Sequence, residues 1–167
     1  MNVKKTDIID ELVSQWNIEK PNLDASAMQI VGRIIIIGKI LEKRAGKVLN
    51  DSNIHYTDLD VLATLRRSGK PYELTPKQLM RSVLITSGSM TALLNRLTQL
   101  KLIYRIADEN DRRIKRAGLT VTGVRIIDMA IKLRFIEAEE SISALNIQEK
   151  TQLGALLKKL LFSLDIS

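Results

Sequence analysis

The sequence predicts a mostly α-helical chain with one small antiparallel β-hairpin, arranged as a winged helix-turn-helix with a helical dimerisation region. Three observations predict it. Residues 75–101 read as two helices around a tight turn. Residues 103–119 read as a short alternating strand, a charged loop and a return strand. The stretches at both ends repeat apolar residues at helical spacing.

Near the N-terminus, Ile8, Ile9, Leu12, Val13 and Trp16 form an apolar stripe behind Thr6-Asp7, a cap and dipole partner, and Pro21 closes this arm. A long helix starts at Leu23-Asp24-Ala25-Ser26 and runs to about Leu49, with Ile30, Ile34, Ile37, Leu41, Ala45 and Val48 on one side. Asn50-Asp51-Ser52-Asn53 is a turn-forming break. Thr57-Asp58-Leu59-Asp60 opens a further helix that ends at Ser68-Gly69-Lys70-Pro71.

Thr75-Pro76 opens the next helix, threonine at N-cap and proline at N1, predicted over Lys77 to Leu84. Ile85-Thr86-Ser87-Gly88-Ser89 is the turn that begins its partner. There Met90, Leu94, Leu97 and Lys101 share one face, and Ser87, Ser89, Thr91, Asn95 and Gln99 lie away from it. Ile103 to Ala107 is the outgoing strand, Asp108 to Arg113 the loop, and Ile114 to Leu119 the return strand. Thr120-Val121-Thr122-Gly123 leads into a helix to about Ser143. Asn146 and Glu149 then form a capping box before a helix carrying Leu153, Leu156, Leu157, Leu160, Leu161 and Leu164. The expected organisation is one compact protomer: residues 1–54 and 124–167 for dimerisation, and 55–123 as the winged helix-turn-helix.

A chain of 167 residues that is 45% hydrophobic has enough apolar material for a core. A net charge of +7 favours a polyanionic partner. The absence of cysteine excludes disulfides, thiol nucleophiles and thiol iron–sulfur ligation by this chain. The longest apolar run, Ile34 to Ile37, is far short of the roughly 18 residues a membrane span needs, and residues 1–7 lack a signal peptide's apolar core. We therefore expect a cytoplasmic, nucleoid-associated protein with no membrane partner. His55 is the single histidine, so it reads as a helix-start residue and no metal site is expected. No phosphate loop, Gly-x-Ser-x-Gly elbow or paired base and nucleophile is present, so neither catalytic residues nor a cofactor are expected.

A polar helix face beside an arginine-tipped hairpin suits one DNA duplex at two grooves. Arg113 is the first candidate for the narrow minor groove, where A·T tracts concentrate negative potential, with Arg112 beside it. Ser87, Ser89, Thr91, Asn95 and Arg96 are candidates for phosphate and major-groove contacts, Asn95 toward an adenine edge and Arg96 toward a phosphate. Arg81, Lys77 and Lys115 add backbone attraction. The competing reading of these residues is ordinary capping and a solvated charged turn. Trp16 and the six C-terminal leucines suit either intrachain packing or an isologous dimer that pairs two recognition helices on a pseudo-palindromic operator.

Ser87-Gly88-Ser89-Met90-Thr91, Asn95-Arg96-Leu97, Leu102 to Arg105, Asp108, Asp111-Arg112-Arg113 and Leu119-Thr120-Val121-Thr122-Gly123 together resemble the MarR family. The resemblance implies a homodimeric winged helix-turn-helix repressor, often released from double-stranded DNA by a small phenolic or anionic ligand. It also implies that Asp111 orients the wing arginine through a bidentate pair. Trp16, Pro21 to Asp24, Gly32-Arg33 and Asp60 to Gly69 further resemble the urate-responsive subgroup, which has an extra N-terminal helix. That subgroup's ligand site implies roles for Trp16, Asp60 and Arg105, while its fourth position, an arginine, falls on Leu93. Two readings follow: a regulator released by a small aromatic or urate-like ligand, or a ligand-independent regulator or anti-silencer with a degenerate pocket.

Overall fold

A computed structural model describes residues 6–49, 54–83, 87–108, 111 and 113–164. The elements run α1 (Ile8–Glu19), α2 (Met28–Val48), α3 (Tyr56–Arg67), β1 (Glu73–Leu74), α4 (Pro76–Met80), α5 (Ser87–Gln99), β2 (Ile103–Ala107), β3 (Lys115–Leu119), α6 (Val121–Ser141) and α7 (Ile147–Ser163). The chain divides into two units, residues 1–44 and 45–167. The mostly helical fold with a winged hairpin is the one expected.

In the first unit, Asp7 caps α1 by accepting the N–H groups of Ile9 and Asp10 at 2.9 and 3.1 Å. Arg33 of α2 clips that helix start, its guanidinium reaching Asp7 at 2.8 Å and Asp10 at 2.7 Å. Of the stripe expected along α2, Ile30, Ile34 and Ile37 are exposed, Leu41 and Val48 are partly buried, and Ala45 is fully buried.

The core lies in the second unit, where α3, α5 and α6 close over the sheet. Leu62 and Leu65 of α3, Met90, Leu94 and Leu97 of α5, Ile127 and Ala130 of α6, and Leu79 of α4 are buried there with Ala117 of β3. At roughly 1.5–3 kcal/mol per large apolar side chain fully buried, these contacts set the relative position of α3, α5 and the hairpin. α7 begins with the expected capping box, Asn146 Oδ1 accepting from Gln148 and Glu149. It buries none of its residues, so packing within the chain does not account for its leucines.

The sheet departs from a simple hairpin. It has three antiparallel strands in the order β1-β3-β2, with Glu73 opposite Gly118 and Tyr104 opposite Gly118 from the other side. β1 has only two residues, too short for any alternation to register in sequence. The return strand begins at Lys115 rather than Ile114.

Three helix ends differ from expectation, the first being α2, which starts at Met28 rather than within Leu23 to Ser26. α4 closes at Met80, well before Leu84; Ser82 and Val83 still donate to the Leu79 carbonyl, one tight turn past the helix end. Leu84 itself lies outside the described residues. Lys101 does not extend the apolar face of α5. It sits past the helix end at φ 57°, while the N–H groups of Leu102 and Lys101 reach back to Leu97 and Thr98. That pattern is a Schellman closure, a left-handed residue that glycine usually supplies.

Candidate nucleic-acid interface

Thr75 and Gln78 cap α4 reciprocally: Thr75 Oγ1 accepts the Gln78 N–H at 3.2 Å, and Gln78 Oε1 accepts the Thr75 N–H at 2.8 Å. This fixes the helix that supports α5, with Lys77 and Arg81 exposed. α5 then behaves as a divided cylinder. Met90, Leu94 and Leu97 are buried, while Ser89, Thr91, Ala92, Asn95, Thr98 and Gln99 face outward, so the predicted polar face is a real surface. Ser87 opens the helix.

Arg96 is only partly available as the phosphate contact expected of it. Its Nε lies 3.2 Å from Oδ2 of Asp58, whose side chain is fully buried at the start of α3. The same oxygen accepts the His55 N–H at 2.8 Å. Its partner, Oδ1, is buried without a hydrogen-bond partner among the described residues. In sequence Asp58 stands only among the residues that open this helix. The structure adds that this carboxylate braces α5 against α3, and no local pattern could show a pairing across 38 residues.

At the wing, Arg113 and Lys115 are exposed and Arg112 lies outside the described residues. Asp111 orients Arg113 differently from the expected bidentate pair: its Oδ1 accepts the Arg113 backbone N–H at 2.9 Å. No ion pair links the two side chains among the described residues. Spacing explains this, because a carboxylate two residues upstream reaches the main chain in an Asx turn more readily than a guanidinium pointing outward. Behind the tip, buried Asp108 accepts the Asp111 N–H at 3.2 Å and meets Arg116 Nη1 at 3.4 Å.

Arg116 also meets Glu73 of β1, and Tyr104 donates to Glu73 Oε1 at 2.7 Å. That hydrogen bond pushes the Tyr104 phenol above its usual value. The ring fits because Gly118 faces it; a Cβ there would stand 2.3 Å from Tyr104 Cζ. Sequence reading missed Glu73, Tyr104, Asp108 and Arg116 as site supports. Glu73 and Arg116 showed only as charges within short strands, and Tyr104 and Asp108 only as members of the wing motif.

The four residues that the resemblance assigns to a ligand are distributed as follows. Trp16 is exposed on α1, in the first unit, beside a shallow depression of about 510 Å³ lined by Glu19 to Leu23. The other three lie in the second. Asp60 is half-buried on α3; burial pushes its carboxyl above the ordinary value, against the pull of the Arg67 and Arg134 guanidiniums. Leu93 is buried and lines a cleft of about 330 Å³ with Thr57, Ser89, Ala92 and Arg96. Arg105 donates from Nη2 to the Lys115 carbonyl at 3.0 Å, and partial burial pulls its guanidinium below its usual value. No hydrogen bond or ion pair joins Asp60 to Arg105 among the described residues. Nor do those residues hold a group of His, Cys, Asp or Glu suited to a metal, or a helix long and apolar enough to cross a membrane.

Comparison with known proteins places this geometry. A profile of the MarR family matches residues 52–114. The HTH-type transcriptional regulator PecS of Dickeya dadantii is 31% identical over 149 residues, which is 89% of this chain and 90% of that protein. The structure of the S. aureus MepR–DNA complex superposes with a TM-score of 0.73 at 25% identity, covering 80% of this chain and 97% of that one. A MarR mutant from E. coli in complex with operator DNA shares the fold, with a TM-score of 0.72 at 23% identity, over 93% of this chain and 99% of that one.

Proposed function

Because this chain belongs to the MarR family of winged-helix, DNA-binding transcriptional regulators, we propose that it is a dimeric repressor of a pseudo-palindromic operator, released by a small aromatic or anionic ligand. The observation that carries this reading is the outward polar edge of α5 beside an arginine-tipped wing. α5 enters the major groove, with Asn95 reading a base edge, while Ser87, Ser89, Thr91 and Arg96 anchor phosphates at its N-terminal half and flank. Arg113 enters the adjacent minor groove, steadied by Asp111, and Arg112, Lys115, Lys77 and Arg81 attract the backbone. The solved MepR–DNA complex shows that a relative at 25% identity holds DNA on this fold.

Residues 1–54 and 124–167 form the dimerisation region of this proposal, and 55–123 the DNA-binding domain. Exposed Leu153, Leu156, Leu157, Leu160 and Leu161 on α7 supply apolar area for an isologous contact. Release follows the assignment of Trp16, Asp60, Arg105 and Leu93 to a urate-like or phenolic ligand. The protein acts in the cytoplasm on the nucleoid.

A second reading, a ligand-independent regulator or anti-silencer, is favoured by one observation: the position expected to supply a cation is Leu93, and it is buried. Titration against the duplex upstream of the protein's own gene, with a scrambled duplex as control, separates them. A repressor making about 6–10 phosphate contacts loses roughly 10³–10⁵ in affinity between 50 and 200 mM salt. Urate or salicylate should release it; tight binding that neither touches supports the second reading. Arg113→Ala should weaken operator binding by about tenfold. An unchanged affinity refutes the wing assignment.

A further inference from the structure

The wing has a brace that the DNA-contact assignment does not use. Arg116 lies on β3, three residues from Arg113, in register opposite Ile106 of β2. Nη1 and Nη2 of its guanidinium are hydrogen-bonded to protein oxygens, and Nε is buried within ion-pair distance of a carboxylate but without a hydrogen-bond partner among the described residues. Nη2 donates to the Glu73 carbonyl at 3.1 Å, Nε stands 3.4 Å from Glu73 Oε2, and Nη1 stands 3.4 Å from Asp108 Oδ2. The Glu73 carboxylate is held from its other side by Tyr104. Asp108 carries the connection onward: its Oδ1 accepts the Asp111 N–H, and Asp111 accepts the Arg113 N–H. An unbroken polar path therefore runs from β1, through Arg116, to the backbone of the wing tip.

We propose that Arg116 is a positioning residue for DNA recognition: it fixes the wing's angle, and so where Arg113 enters the minor groove, without touching DNA. A two-stranded ribbon twists easily, whereas a groove contact needs its side chain held to within about half an ångström. A planar fork that engages Glu73 on one side and Asp108 on the other resists that twist, and a lysine's single ammonium would not span both. With Nη1 and Nη2 bonded to protein and Nε buried, Arg116 differs from the exposed Arg113 and Lys115 on the same hairpin. The inference rests on the assignment of Arg113 to the DNA.

The test is a double-mutant cycle on an operator duplex selected by the full-length protein from a randomised pool, each affinity measured across a salt series. Arg116→Met keeps the aliphatic stem and removes the fork. It should weaken operator binding by about tenfold, leave the salt dependence at its wild-type slope, and cost nothing further once Arg113 is alanine. Arg116→Lys should recover only part of the loss. Additive effects of the two substitutions overturn the proposal. So does a salt slope reduced by about one, which marks a direct phosphate contact. An Arg113→Ala variant indistinguishable from wild type overturns the wing assignment itself, and this inference falls with it. Should Arg116→Met fail to fold, Asp108→Asn removes the charge that Arg116 meets, and it is judged by the same slope and the same non-additivity.

Discussion

Gly123 seats α6 against the base of the wing, and replacing it with alanine should be costly for a reason visible at a single contact. A Cβ at this position would lie 2.0 Å from the Leu102 carbonyl oxygen, 3.0 Å from its carbon and 3.3 Å from Leu119 Cδ2. The obstacle is backbone, so relief requires moving the chain by about 1 Å rather than turning a side chain. That carbonyl already accepts from the Thr120 N–H and from Thr120 Oγ1, both at 3.1 Å. Overpacking a tight site costs typically about 1–3 kcal/mol, and each hydrogen bond disturbed about 1. Alanine's better helix propensity offsets at most about 1 kcal/mol. The net expectation is a destabilisation of about 3 kcal/mol, or a fall of roughly 6–12 °C in Tm for a chain of this size. Thermal unfolding followed by circular dichroism, at fixed protein concentration, measures this directly. Gly46→Ala, in α2, with nothing within 4 Å of the added carbon, is the matched control and should stabilise by about 0.5–1 kcal/mol. A Gly123→Ala variant melting within about 2 °C of wild type would refute the steric argument.

Two further outcomes follow from the charges around α3. Asp58→Ala removes the buried partner of Arg96 and should destabilise by about 2 kcal/mol, less than a fully buried pair because Arg96 is 38% exposed. A urea midpoint equal to wild type would show that α5 needs no such brace. Asp60 is held above the ordinary aspartate value of 3.8 by burial. Between that value and its raised folded value the native state binds more protons than the unfolded chain, so its contribution to stability falls as pH rises through the window. Asp60→Asn should therefore be at least as stable as wild type at pH 7, with the advantage shrinking toward pH 3.8. Parallel stability curves for the two proteins across that range would contradict the burial argument.

Local chemistry determined much of this protein from the chain alone. Asp7, Thr75 and Asn146 each start a helix because a short polar side chain accepts the orphan N–H groups of a first turn. The apolar spacing of Met90, Leu94 and Leu97 shows which side of α5 is inside, and so which residues face outward. The run Ile103 to Ala107 is β2 residue for residue, although its burial does not alternate: Ile103 is buried and Ile106 exposed. The Leu-Thr-x-x-Gly run at Leu119 to Gly123 reads as a motif, but its reason, a carbonyl 2.0 Å from a missing Cβ, is purely spatial.

What only the tertiary structure decided are the relations between residues far apart in sequence. β1 joins the sheet through two residues, too few to carry a period, because β3 has an open edge beside it. Asp58 meets Arg96 across 38 positions, and Glu73 meets Arg116 across 43. Both pairs depend on the register of strands and the packing of helices. The sequence alone therefore shows which surfaces are polar and which helices form. The buried charges that hold those surfaces at fixed angles emerge only when the chain is closed, because a pairing distance is a property of the packed fold and not of spacing along the chain.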